Sequence, residues 1–131
     1  MKLNIGDSKT ITVRACDKQG GDIILDVEKG ELYKFAVHAG EEWTDWFKTE
    51  NADGFIPSAL FPHPRLKGVN YFCLCGLIAG ENDSESMFRI GKNPVDIPMP
   101  ASGKLYYFAN DFKWAYWNNK GALKFEVRRL S

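Results

Sequence analysis

The stretch Asn110-Asp111-Phe112-Lys113-Trp114-Ala115-Tyr116-Trp117-Asn118-Asn119 holds the densest mixture of polar and aromatic side chains in the sequence. Asp111, Asn118 and Asn119 contribute three side-chain oxygens, and a bent loop between them exposes backbone carbonyls as well. An all-oxygen donor set suits a hard cation, and Ca²⁺ takes about six to eight such ligands. One carboxylate neutralises the charge only in part, so affinity from the protein alone is expected to be moderate, and an incomplete shell lets ligand hydroxyls occupy the open positions. The spacing is not that of an EF-hand, whose acidic ligands recur at every second position before a glycine. On the residues alone, the same stretch also reads as a plain turn, because Asn and Asp accept left-handed angles and bond their own backbone.

Strands must carry this loop, because the chain alternates and shows no sustained helical period. In 10–15, Ile11 and Val13 alternate with Thr10, Thr12 and Arg14; in 22–27, Ile23, Leu25 and Val27 oppose Asp22 and Asp26. Tyr33, Phe35 and Val37 share one side of 31–38, with Lys34 and His38 on the other. Leu123, Phe125 and Val127 do the same in 122–130, against Lys124, Glu126 and Arg128. The run 71–79 is almost wholly apolar, the pattern of a central strand covered on both faces, and 105–109 is largely aromatic. Gly, Pro, Asn and Asp punctuate the gaps. Seven or eight short strands of this kind predict an all-β fold, an antiparallel β-sandwich of jelly-roll type, as a single domain over residues 1–131. Between His38 and Tyr71 the rhythm lapses. That segment holds Trp43, Trp46, Phe47, Phe55, Phe61, Pro57, Pro62 and Pro64, which either cap an open end of the sandwich or form a binding loop.

Composition narrows the function. The chain has 131 residues with 17 basic and 17 acidic side chains, so it lacks the basic footprint of a nucleic-acid binder. No apolar run approaches the ~20 residues of a membrane span, so membrane insertion is not expected. The first residues lack the apolar stretch of a secretory signal, which places the protein in the cytoplasm or has it released without a conventional leader. Three cysteines fit no closed disulfide framework. Cys73 and Cys75 read as small buried hydrophobes, and His38 and His63 alone cannot complete a zinc site. Asn82-Asp83-Ser84 matches a glycosylation acceptor that has no use outside the secretory route.

The loop at 110–119 resembles the Asn-Asp-x-x-x-x-Tyr-x-Asn-Asn loop of the PA-IL-like galactophilic bacterial lectins. Further features are similar to that family in register. Cys75-Gly76-Leu77-Ile78 resembles its Cys-Gly followed by an apolar strand, and Phe88-Arg89-Ile90-Gly91-Lys92 resembles a strand end. His63-Pro64 stands twelve residues before Cys75, and Gly40, Trp43 and Trp46 resemble a loop that gives calcium a carbonyl, allowing an insertion at Glu41-Glu42. The resemblance covers the chain from about Gly30 onward. It implies a calcium-dependent β-sandwich lectin for galactose or terminal galactosides. A homo-oligomer is expected, because weak monosaccharide affinity is commonly amplified by multivalency. Asp111, Asn118 and Asn119 would bind Ca²⁺ through side chains, and Trp46 and Ala115 through carbonyls. Asp111, Asn118 and the neighbouring Phe112 would contact the sugar, with His63 at its 6-hydroxyl end.

This chain departs from the family at Lys113-Trp114, where the family has Pro-Gly. It departs again at Leu66 or Lys67, where the family has a glutamine, and at the bulky Phe112 and Trp117. His63 alternatively bonds a backbone carbonyl, and Asp45 and Glu42 are either solvated loop charges, the preferred reading, or extra acid near a metal. One or two of Trp43, Trp46, Trp114 and Trp117 are expected at the surface. The competing expectation is a sandwich that has lost sugar binding and serves as a protein-interaction module, for which an aromatic rim with a cation is suited. An enzyme is not expected, since a glycosidase needs two close carboxyl groups and the loop offers Asp111 alone.

Overall fold

Each alternating segment becomes a strand, and its apolar side turns inward. In chain order the strands are β1 (Ser8–Arg14), β2 (Gly20–Val27), β3 (Leu32–Val37), β4 (Trp43–Asp45), β5 (Lys48–Glu50), β6 (Leu74–Ala79), β7 (Glu85–Arg89), β8 (Val95–Pro98), β9 (Gly103–Ala109) and β10 (Asn119–Arg129). The computed structural model describes residues 1–56 and 63–131, so Pro57, Phe61 and Pro62 lie outside the described residues. Two antiparallel sheets face each other. One runs β5-β4-β10-β3-β8, with β1 on the free side of β10, and the other runs β2-β9-β6-β7. The fold is the expected antiparallel β-sandwich.

Ile11 and Val13 of β1, Tyr33 and Phe35 of β3 and Leu123, Phe125 and Val127 of β10 meet Leu25, Leu74, Ile78, Leu105 and Tyr107 from the opposite sheet in one core. Burial of such side chains contributes about 1.5–3 kcal/mol each, which sets the register of both sheets. A second, smaller cluster lies on the outer face of the β6–β9 pair: Cys73, Cys75, Leu77 and Phe108, covered by Leu66 and Val69. This explains why the run before Ala79 is apolar at every position. The strand itself begins at Leu74 rather than Tyr71.

The segment expected to lack strands contains a short hairpin, β4–β5, with Asp45 opposite Lys48. β4 continues the sheet by pairing with the start of β10, Asp45 opposite Asn119 and Trp43 opposite Gly121. With β7 and β8 added, the described residues form ten strands instead of seven or eight. Three-residue strands carry too few positions for a period to show. Of the four tryptophans only Trp43 is buried, donating from Nε1 to the Phe72 carbonyl at 3.0 Å. Trp46, Trp114 and Trp117 are all exposed, one more than expected.

Candidate functional site

β9 ends and β10 begins at the same pole of the sandwich, so the 110–118 loop must close over that pole. Asn110, fully buried, anchors its start. Its Oδ1 accepts the Leu66 N–H at 2.9 Å, and its Nδ2 reaches the carbonyls of Leu66, Val69 and Asn70 at 3.1–3.2 Å. Sequence reasoning gave this residue no role. Its carbonyl accepts the Phe72 N–H at 2.8 Å, tying the loop to the turn that precedes β6. Tyr116 anchors the far side by donating from its hydroxyl to the Ala109 carbonyl at 2.5 Å.

Between these anchors lies a cleft of about 260 Å³, lined by Asp45, Trp46, Phe55, Tyr71, Asp111, Phe112, Trp114, Ala115 and Asn118. That volume is below the roughly 300–1,000 Å³ of drug-sized sites and is on the scale of one monosaccharide. Of the residues expected to hold a cation, Trp46, Asp111, Ala115 and Asn118 therefore share one cleft. Asn119 lies beneath it, buried, with its Nδ2 donating to Asp111 Oδ2 and to the Ala15 carbonyl, both at 3.1 Å. Those two bonds orient the amide and leave its Oδ1 with no donor. Asn118 Oδ1 and Asn119 Oδ1 are both buried without a hydrogen-bond partner among the described residues. An unsatisfied buried acceptor costs on the order of 1–3 kcal/mol, and two of them beside a carboxylate need a reason.

Asp111 is itself only 2% exposed. Burial pushes its carboxyl up to about 6, against the pull of the Phe112 N–H and the Asn119 amide, and the charge of Asp45 raises it further. Asp45 is raised too, by burial, although Lys48 opposes the shift. The cleft thus contains a second carboxylate, which favours the alternative reading of Asp45 over that of a solvated loop charge. Only the register of β4 against Asn119 brings it there. No group of three or more His, Cys, Asp or Glu capable of holding a metal occurs among the described residues, so any cation site here depends on amide and carbonyl oxygens.

Trp46 occupies the turn of the β4–β5 hairpin at φ +55°, where hairpins usually place glycine. Its N–H donates to the Asn118 carbonyl at 3.2 Å, fastening the hairpin to the loop. A bulky residue held at positive φ is strained, and such strain concentrates at functional sites. The cleft walls are aromatic. Phe55 stacks on Tyr71 (5.7 Å, 21°), Tyr71 meets Phe112 edge-on (5.2 Å, 65°), and Phe112 stacks on Trp114 (5.2 Å, 6°).

His63 stands apart. It is exposed and lines an adjoining cleft of about 280 Å³ with Pro64, Arg65, Phe112, Lys113 and Trp114. The Phe112–Trp114 stack is the wall common to both clefts. A larger groove of about 830 Å³ runs along the opposite pole past Lys2, Asp26 and Lys104. There Asp26 is paired with both Lys104 and the terminal ammonium, so its charge is already satisfied within the chain.

No known protein family matches this chain, and no curated protein matches it significantly in sequence. A solved structure described as the EclA N-terminal domain, a PllA-like lectin, is similar to it with a TM-score of 0.61 at 20% identity, covering 93% of this chain and 94% of that one. At that identity the likeness is one of fold.

Proposed function

We propose that this protein is a carbohydrate-binding lectin that holds Ca²⁺ at the Asp111 cleft and recognises galactose or terminal galactosides through their hydroxyls. The supporting observation is the pair of buried, unpartnered amide oxygens of Asn118 and Asn119 beside a buried carboxylate. A hard cation accepts oxygens of this kind and removes their desolvation penalty. Asp111, Asn118 and Asn119 would hold the ion by side chains, Trp46 and Ala115 by carbonyls, and Asp45 would balance its second charge. When bound, Ca²⁺ supplies open positions that vicinal sugar hydroxyls can fill. The chain's own residues then orient the sugar: Phe112 and Trp114 offer ring faces to its apolar side, and its 6-hydroxyl end leaves the cleft toward His63. The lectin-like fold of the EclA domain supports carbohydrate binding in general. Affinity for a single sugar at so shallow a site is weak, so the reading includes a homo-oligomer that binds multivalent glycans.

Thermal melting tests this. Chelated protein should gain on the order of 5–10 °C with Ca²⁺ at a hundredfold excess over its dissociation constant, and more with added galactose. The Asp111→Ala variant should keep its fold and lose both shifts. If neither ligand moves the midpoint of the unmodified protein, the reading fails. A second reading, a protein-interaction module, rests on the exposed Trp46, Phe47, Ile56, Trp114 and Trp117. It predicts self-association or partner capture that is indifferent to chelator.

A further inference from the structure

The two clefts on either side of the Phe112–Trp114 wall have opposite electrostatic character. Asp45 and Asp111 line one, whereas Arg65, Lys113 and His63 line the other, whose lining includes no carboxylate. Arg65 is fixed there. Its Nη1 donates to the Lys18 carbonyl at 2.7 Å and to the Tyr116 hydroxyl at 3.2 Å, and its guanidinium lies over Phe108 at 4.1 Å. Its Nε is buried with no partner among the described residues, so the group is held in place but not fully satisfied. Lys113 is exposed, and no ion pair involves it among the described residues. Neither cation has an ion-pair partner among the described residues, and both residues line one small concavity, a single aromatic wall from the proposed sugar site.

We propose that this adjoining cleft is an anion subsite, and that the preferred ligand is an acidic sugar carrying a sulfate or carboxylate at its C6 end. This rests on the lectin reading above, which sends the 6-hydroxyl end past the wall toward His63. A neutral sugar gains no charge–charge attraction from Lys113 and Arg65. An anion placed there gains charge-assisted contacts whose strength at a partly exposed site is worth a few-fold in affinity and falls as salt screens them.

Calorimetric titration in the presence of Ca²⁺ with galactose, galactose 6-sulfate and galacturonic acid tests the subsite. At low salt, at least one acidic sugar should bind about three- to tenfold more tightly than galactose, and the advantage should shrink at high salt. Gain with the sulfate alone identifies a sulfate ester as the source of the anion, and gain with the uronate alone identifies a carboxylate. Lys113→Gln, a surface change, should remove most of the advantage and leave galactose affinity unaltered. If galactose binds and neither acid gains, or if the gain survives Lys113→Gln, the subsite is refuted and the lectin reading stands. If the acids bind independently of Ca²⁺ while galactose does not bind, the subsite stands and the calcium reading falls. Absence of binding by all three sugars overturns both.

Discussion

Asp111 is destabilising as a free anion, and that follows from where it sits. Its carboxyl is raised from 3.8 to about 6, chiefly by burial. The native state therefore holds a proton that the unfolded chain releases, so stability contributed by this group falls as pH rises from about 4 to about 6 and stays low above that. Asp111→Asn keeps the shape and removes the charge, but its single amide oxygen can accept from only one of the two donors, the Phe112 N–H or the Asn119 amide, and the other faces an NH2 group. In chelator the stability of the variant relative to the parent should therefore rise by on the order of 1–3 kcal/mol between about pH 4 and pH 7.5, on top of the pH-independent cost of the lost hydrogen bond. In the parent, any stabilisation by Ca²⁺ should weaken as pH drops through about 6, because the proton and the cation compete for one carboxylate. Melting curves across that range read both effects, and a difference between chelated variant and parent that does not change with pH would refute the account. The oxygens of Asp111, Asn118 and Asn119 were legible in the sequence because they lie in one loop. Asp45 was legible only as the less favoured of two readings, since it reaches the cleft from a strand far away in the chain.

At the scale of elements, the site depends on two short pieces that no period announces, the β4–β5 hairpin and the turn before β6. In that turn Phe72 adopts φ +63°, and Gly54 at φ +65° packs directly against it. A Cβ at position 54 would stand 1.9 Å from the Tyr71 carbonyl oxygen and 2.5 Å from the Cys73 nitrogen. Gly54→Ala must therefore displace the backbone that carries Tyr71 and Phe55, two walls of the cleft. Urea denaturation should show a loss on the order of 2–4 kcal/mol, with weaker ligand binding by the folded fraction. Gly68→Ala is the control: its φ is +77° and a Cβ there would meet nothing within 4 Å. It should lose only about 1 kcal/mol, the cost of a left-handed alanine. Equal losses at the two positions would contradict the close-approach argument. The long alternating strands β1, β3 and β10 were readable because each repeats its signal several times over. β4 and β5 are too short to repeat theirs.

The whole molecule is fastened at the pole opposite the cleft by Glu31. Its carboxylate takes the Lys2 ammonium at 2.5 and 2.6 Å, the Arg129 guanidinium at 2.8 Å, the Glu28 N–H at 2.7 Å and the Tyr33 hydroxyl at 3.1 Å. One side chain thus joins the amino-terminal segment, β3 and the end of β10. Burial by itself would raise this carboxyl, but Lys2, the Glu28 N–H and Tyr33 together hold it below its ordinary 4.5. The sign is opposite to that of Asp111. The stability from Glu31 is fully present above about pH 4.5 and is lost as pH falls through its lowered value. Glu31→Gln leaves two cations facing a neutral amide and should cost on the order of 2–4 kcal/mol at neutral pH. It should also flatten the acid limb of the stability profile measured by denaturant titration. An unchanged acid limb would show that other carboxylates govern it.

The sandwich and the oxygen-rich composition of the 110–119 loop can be read from the chain directly. Period-two alternation and the oxygen content of a loop are local properties, written within a few residues of one another. It takes the folded molecule to put Asp45 in one cleft with Asp111, to hold Trp46 strained at its edge, and to place His63 beyond the Phe112–Trp114 wall with Arg65 and Lys113. Those proximities depend on which strand lies beside which. Strand order is set by burying both sheet faces at once, so no single stretch of sequence carries it.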